Sequence, residues 1–132
     1  MDISARSFAT RAPPTFRTKD AERIHVLQRL AAACRLFGRR GNSEGLLGHI
    51  TVRDPEHPDL FWVNPVGISM RDVKVSHLVQ ANHRGEVVHG RGMVNPVGLL
   101  LHTRRMALPG PRWNACSIPL RRTPAYSSSI RR

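Results

Sequence analysis

The stretch GHITVRDPEHPDLFWVNPVG, residues 48–67, decides the fold of this chain. Its first six residues alternate polar and apolar side chains and place His49, Thr51 and Arg53 on one side, which is typical of a half-buried strand. DPEHPD follows as a turn, because its two prolines cannot join a central ladder. LFWV then predicts a second strand and NPVG a tight turn, so this stretch is expected to form neighbouring strands.

A helix is predicted to precede these strands. Thr18 is a suitable N-cap, and acidic residues in the first turn complement the helix dipole. Gly38 and Gly41 are expected to end this helix. Its apolar stripe, at three- and four-residue spacing, consists of Ile24, Leu27, Leu30 or Ala31, Cys34 and Phe37.

Two more strands and a second helix are predicted after the first two strands. VSHLVQAN, residues 75–82, and EVVHG, residues 86–90, are expected to pair through a hairpin turn at HRGE. Asn95 is then the N-cap of a helix that begins at Pro96. This order of elements predicts an α+β fold, in which a helix packs on a mainly antiparallel sheet.

The composition limits the possible classes of protein. The chain has 132 residues, of which 40% are hydrophobic, enough for one domain with a modest core. No apolar run could span a membrane, and residues 1–15 lack the apolar centre of a secretory signal, so we expect a cytoplasmic protein with a disordered leader. A transit peptide is the alternative for this leader, and Asp2 argues against it. Two cysteines imply no disulfide framework.

The net charge of +12 arises mostly at the end of the chain. Residues 103–132 hold seven arginines and no acidic residue, together with prolines and a run of serines. This composition predicts a disordered tail. A basic tail leaves a nucleic-acid-binding protein as a remote alternative, but because this alternative rests only on the tail we do not expect a nucleic-acid partner.

Two features contain residue types that could form a site. None of the seven histidines forms an i, i+4 or His-x-His pair that would begin a metal site, and only His49 and His102 lie beside other candidate features. Asn64-Pro-Val-Gly67 and Asn95-Pro-Val-Gly98 form a near-repeat. Each is either a simple Asn-Pro turn or a backbone segment that presents N–H groups to an anion.

These segments, in this order, resemble the class II aldolase/adducin head-domain family, in its adducin-like branch. The resemblance covers residues 16–102 through G-H-I-T-V-R, F-W-V-N-P-x-G, S-x-L-V, G-E-V-V-x-G and V-N-x-x-x-x-x-x-H. It implies a three-layer class II aldolase-like domain, here truncated, and a small oxygenated substrate such as a sugar phosphate or hydroxy acid. It also allows a homo-oligomer.

The resemblance implies an anion-binding site but no complete catalytic one. Gly48 and His49 take the positions of a phosphate-facing Gly-Asn pair, and Asn64 and Gly67 supply a second anion-facing turn. His49 and Val66 both depart from the sugar-phosphate pattern, which puts phosphate specificity in doubt.

Catalysis in the full-length family uses zinc or another divalent metal, a glutamate and a His-x-His pair. Here Gly98 stands where the glutamate is expected, Ile118 and Leu120 stand near the places of the metal-binding pair, and no histidine follows His102. We therefore expect this chain to have no catalytic residues, no metal ligands and no bound metal.

Two functions remain open: a metal-dependent lyase by family, or a non-catalytic adducin-type interaction domain or remnant. The missing histidines favour the second for this polypeptide. Because family order ends at His102, we expect a truncated or frame-shifted product, which reading the other two frames after Ala115 would test.

Overall fold

The computed structural model describes residues 12, 14–41, 48–96 and 98–100. The elements in chain order are α1 (Lys19–Arg39), β1 (Thr51–Arg53), β2 (Leu60–Val63), β3 (Val79–Asn82) and β4 (Val87–His89). Two short 3-10 turns, Met70–Asp72 and Val75–His77, connect β2 to β3. The predictions for residues 103–132, for His102 and for most of residues 1–15 lie outside the described residues.

The predicted helix is present, and its buried stripe matches the expected one except at Ile24. Thr18 caps α1 by accepting a hydrogen bond from the backbone N–H of Ala21 at 3.1 Å, as predicted. The most buried apolar positions are Val26, Leu30, Ala31 and Cys34, whereas Ile24 is 57% exposed. Leu27 and Phe37 are partly buried against the same cluster, as predicted. The prediction for Ile24 was wrong because the buried side is centred on the row Val26, Leu30 and Cys34, and Ile24 lies outside it.

Gly38 does not end α1 as predicted but allows a neighbouring segment to approach it. The helix continues to Arg39, and Gly41, at φ +80°, follows its end. A Cβ at position 38 would lie 2.6 Å from the backbone nitrogen of Arg71. The Arg71 side chain also donates from Nε to the carbonyl oxygen of Gly38 at 2.9 Å. The end of the helix is therefore packed directly on the Met70–Asp72 turn.

The four strands form one antiparallel sheet in the order β1-β2-β3-β4. This confirms the α+β prediction of a helix against an antiparallel sheet. The third strand is shorter than predicted, because Val75–His77 form a 3-10 turn before it. Local bonds favour that turn: the N–H of Lys74 donates to Nδ1 of His77 at 3.3 Å, and the N–H of Leu78 donates to the carbonyl of Val75 at 3.1 Å.

Both faces of the sheet are covered at β1 and β2, so β1 is not half-buried as the alternation suggested. One face packs on α1 and contributes Ile50, Val52 and Trp62 to the larger apolar cluster. The other face contributes Phe61, Val63, Val79 and Ala81 to a second cluster, against which Val94 and Leu99 pack. Because this second layer is present, even the polar Thr51 is only 2% exposed.

Candidate functional site

Asn64 fixes the segment that leads into β1. Its side-chain Oδ1 accepts the backbone N–H of Ile50 at 3.0 Å, and its Nδ2 donates to the carbonyl of Gly48 at 3.1 Å. The residue before it, Val63, is the register partner of Thr51. The amide of Asn64 therefore extends the β1–β2 ladder by imitating a backbone group, and it holds the backbone on both sides of His49.

The thiol of Cys34 connects this arrangement to α1. Its Sγ donates to Oδ1 of Asn64 at 3.7 Å, and the residue is fully buried. Burial raises the pKa of the Cys34 thiol to about 12, because a thiolate would lose its hydration there. The thiol is thus a neutral donor near pH 7 and not a nucleophile.

The first Asn-Pro-Val-Gly segment, residues 64–67, is a turn, as predicted. Gly67 has φ +91°, and the space around the position of a Cβ is open. The N–H of Val66 donates to the carbonyl of Met93 at 2.8 Å, which fixes the turn against the segment that leads to the second helix. Gly67 is exposed at the outer end of the turn.

The second Asn-Pro-Val-Gly segment, residues 95–98, begins a helix, as predicted. Oδ1 of Asn95 accepts the N–H of Gly98 at 3.4 Å, and the carbonyl of Asn95 accepts the N–H of Leu99 at 2.9 Å. Residues 96 and 98–100 are helical. The two segments therefore have the same sequence but different conformations, because the first continues from a strand and the second contains the N-cap of a helix.

His49 lies between the two segments. The residue is 4% exposed, and its imidazole packs on the backbone of Gly98. A Cβ at position 98 would stand 2.3 Å from Nε2 of His49 and 2.6 Å from Cδ2 and Cε1, so there is no room for a side chain there. The ring thus occupies the volume that a residue other than glycine would need.

The structure brings together three of the four predicted anion-binding residues. Gly48, His49 and Asn64 are adjacent through the Asn64 hydrogen bonds, whereas Gly67 lies further along the turn. Their role toward an anion stays a prediction. Sequence reasoning did not assign Cys34 or Gly98 to this cluster, although the repeat of Asn-Pro-Val-Gly was the available signal for Gly98.

A second buried polar cluster lies around Asp54, where β1 ends. Its Oδ2 accepts hydrogen bonds from Nε of Arg23 at 3.1 Å, Nε1 of Trp62 at 2.7 Å and Nε2 of Gln80 at 2.9 Å. Its Oδ1 accepts the N–H groups of Glu56 and His57, both at 2.9 Å. Burial alone would raise the pKa of Asp54, but these hydrogen bonds outweigh it and lower the pKa.

The Asp54 cluster stabilises the fold and does not present a reactive group. Both carboxylate oxygens are occupied by donors from α1, the sheet and the connection between β1 and β2. A cavity of about 330 Å³ lies beside it, lined by residues that include Phe16, His25 and Pro58. Asp54 therefore has no oxygen left for a ligand in that cavity.

The described residues do not fit the metal site that the family resemblance implies. Among residues 12, 14–41, 48–96 and 98–100, no three His, Cys, Asp or Glu side chains are grouped so that they could hold a metal ion. We therefore assign no chemical step to a metal here. Within the same part of the chain, no helix is both long and apolar enough to cross a membrane.

The fold is that of class II aldolases. The structure is similar to the L-fuculose 1-phosphate aldolase from Glaciozyma antarctica PI12, with a TM-score of 0.69 and 42% identity over 72% of this chain and 40% of that one. It is also similar to an aldolase II superfamily protein from Pseudomonas syringae, with a TM-score of 0.60 and 25% identity over 64% of this chain and 35% of that one.

The sequence matches the family described as "Class II Aldolase and Adducin N-terminal domain" over residues 28–109, and the chain belongs to this family. The meiotically up-regulated gene 14 protein of Schizosaccharomyces pombe is 41% identical over 90 residues, which are 67% of this chain and 35% of that protein. The chain therefore spans little more than a third of the length of this relative.

Proposed function

We propose that this chain provides the anion-binding part of a class II aldolase-type domain, whose ligand is a small oxygenated molecule with a phosphate or carboxylate group. The observation that carries this proposal is the pair of hydrogen bonds that the Asn64 side chain makes to the backbone of Gly48 and Ile50. Because its amide holds the carbonyl of Gly48 and the N–H of Ile50, the backbone around His49 is fixed before a ligand arrives. A preorganised backbone lowers the entropic cost of binding.

In this proposal Gly48, His49 and Gly67 contact the anion, and Asn64 positions them. Gly67 stands at an exposed turn with open space around it, which suits close approach of a ligand to its backbone. The names of two similar proteins agree with an anionic ligand: one is an aldolase of L-fuculose 1-phosphate, and another is the decarboxylase NovR of Streptomyces niveus, 36% identical over 70% of this chain and 35% of that protein.

We further propose that this polypeptide does not catalyse a lyase reaction by itself. The sequence has glycine at position 98, where the family resemblance places a glutamate, and it has no histidine after His102. Metal-dependent lyase activity would then need residues that this sequence does not contain. For the residues present in this sequence, we propose the alternative within the family, a non-catalytic domain of the adducin type that forms homo-oligomers.

The test is a titration of the ¹⁵N-labelled chain with L-fuculose 1-phosphate and, separately, with glycolate. We expect the amide signals of Gly48, His49 and Gly67 to shift, with saturation. Asn64→Ala should abolish these shifts, because it removes the two hydrogen bonds that hold the backbone around His49. Asn82→Ala is the matched control: that asparagine caps the β3–β4 hairpin by accepting the N–H groups of Arg84 and Glu86, and its loss should leave the shifts intact.

Shifts confined to the arginines of residues 103–132 would contradict the proposal. They would instead favour the basic tail as a non-specific anion or nucleic-acid contact. In that case binding to DNA should fall steeply with salt, because phosphate contacts release counterions.

A further inference from the structure

We propose that the cavity between the first half of α1 and the end of β1 is a binding site for a small, uncharged aromatic molecule with one hydrogen-bonding group, such as a phenol. Its volume of about 330 Å³ lies within the roughly 300–1,000 Å³ of typical small-molecule sites. The cavity is lined by residues at the end of β1, whereas Gly48 and His49 come before that strand. This inference therefore goes beyond the proposed function.

The cavity has an apolar floor and an accessible rim. The floor is formed by Val26 of α1 and Val52 of β1, which are 7% and 4% exposed. Pro14 and Pro58 line the cavity from exposed positions, one before α1 and the other between β1 and β2. A proline side chain loses no rotamer freedom when it is covered, so packing a ligand on these rings costs little conformational entropy. An apolar molecule can thus enter from solvent and reach buried side chains.

Two rings in the lining favour an aromatic ligand. The centroids of the Phe16 and His25 rings are 5.0 Å apart, and their planes are inclined by 46°. Aromatic rings prefer tilted or offset neighbours at about 4.5–7 Å, so the two rings stabilise each other in this arrangement. Because both of them line the cavity, a third ring that enters it can make the same kind of contact. An aliphatic molecule of the same size would lack this contribution.

The charged residues of the lining favour a ligand without net charge. Glu22 lines the cavity and forms an ion pair with Lys19 at 3.0 Å, and Asp54 lines it while both of its oxygens accept hydrogen bonds. Arg53 lines the same cavity as a cation. Since carboxylates and a guanidinium surround one small volume, a ligand charge of either sign would lie near a like charge.

The imidazole of His25 supplies a polar contact for such a ligand. The side chain is half-buried and lines the cavity beside Phe16. A neutral imidazole has one donor and one acceptor nitrogen, and a phenolic hydroxyl can also donate or accept. A phenol can therefore form a hydrogen bond with His25 while its ring packs against the rings of the lining.

The test is a titration of the ¹⁵N,¹³C-labelled full chain with 4-methylphenol, combined with nuclear Overhauser measurements. We expect saturable shifts of the amide signals of His25 and Arg53, and Overhauser contacts from the ligand ring protons to the methyl groups of Val26 and Val52. Cyclohexanol has the hydroxyl without the aromatic ring, and 4-methylbenzoate has the ring with a negative charge. The dissociation constant of each should be about threefold higher or more. Equal affinity for all three molecules would overturn the proposal.

Two substitutions test the ring contacts. Phe16→Leu keeps the apolar bulk without the ring, and His25→Ala removes the imidazole. Each should raise the dissociation constant of 4-methylphenol about two- to tenfold. Phe16 precedes α1 and His25 is half-buried, so both variants should keep the circular dichroism spectrum of the wild type. His83→Ala is the matched control: this histidine lies 3.8 Å from Asp59, outside the lining, and its loss should leave the affinity unchanged.

Three further results would overturn the inference. The first is an unchanged affinity in both Phe16→Leu and His25→Ala. The second is a set of shifts at Gly48 and Gly67 without contacts to the two valines, because the ligand would then bind at the other site. The third is a set of Overhauser contacts between Phe8 and the methyl groups of Val26 and Val52 in the ligand-free chain, which would mean that the chain's own first residues fill the cavity. The glycolate titration tests the proposed function separately from all three.

Discussion

Replacing Asp54 by asparagine should cost this chain a large part of its stability. The side chain is buried, and its oxygens accept five hydrogen bonds from Arg23, Trp62, Gln80 and two backbone N–H groups. Asparagine has the same shape, but its NH₂ group would face these donors and would leave the Arg23 guanidinium without its buried partner. Arg23 keeps its ion pairs with Asp20 and Glu56, so the loss is that of an ionised acceptor for buried donors, about 1.5–3 kcal/mol. Small domains have roughly 5–15 kcal/mol in total.

The assay is urea denaturation of the full chain at pH 7, followed by far-ultraviolet circular dichroism, with linear extrapolation to water. Glu56→Gln is the matched control, because Glu56 contacts the same arginine from an exposed position and such pairs contribute about 0–1 kcal/mol. A loss for Asp54→Asn of under about 1 kcal/mol, or equal to that of the control, would refute the reasoning.

The difference between the wild type and Asp54→Asn should also depend on pH in a defined direction. Hydrogen bonds hold the pKa of Asp54 below its ordinary value of 3.8 in the folded chain. A lowered pKa contributes stability that is fully present above the unfolded value and is lost as the pH falls through the folded value. The difference should therefore be constant near neutral pH and shrink below about pH 4. An unchanged difference at pH 3 would contradict the assigned cause.

Three further predictions follow from the described contacts. Gly38→Ala should destabilise the chain by about 1–3 kcal/mol in the same denaturation assay, because the new methyl group would overlap the backbone of Arg71. Gly67→Ala is the control: its methyl group would lie in open space, so it should cost only about 1 kcal/mol. In a Cys116→Ser background, Cys34 should react with iodoacetamide at pH 8 only after unfolding, since its pKa is raised to about 12; rapid reaction of the folded chain would contradict this. X-ray absorption of the chain incubated with zinc should show no stoichiometric tetrahedral nitrogen ligation, which needs about three protein ligands.

The strands and the helix caps could be predicted because their signals are local. Alternation in residues 48–53, Thr18 before an acidic turn and Asn95 before a proline each specify their structure within a few residues. The choice between Ile24 and Val26 on α1 could not be predicted in the same way, because the two are equally apolar and only the position of the sheet decides between them. The burial of Thr51 likewise depends on a second layer that comes from distant sequence.

The two Asn-Pro-Val-Gly segments also depend on their surroundings as well as on their local sequence, since the same tetrapeptide has two structures. Asn64 comes directly after β2, so its amide finds the open backbone groups of Gly48 and Ile50 and extends a ladder. Asn95 has no strand before it, so its amide accepts the N–H of Gly98 and caps a helix. Each asparagine therefore satisfies nearby backbone groups: Asn64 those on both sides of His49, and Asn95 that of Gly98, which the His49 ring contacts. The two repeats thus meet at His49, although each uses the side chain of its asparagine differently.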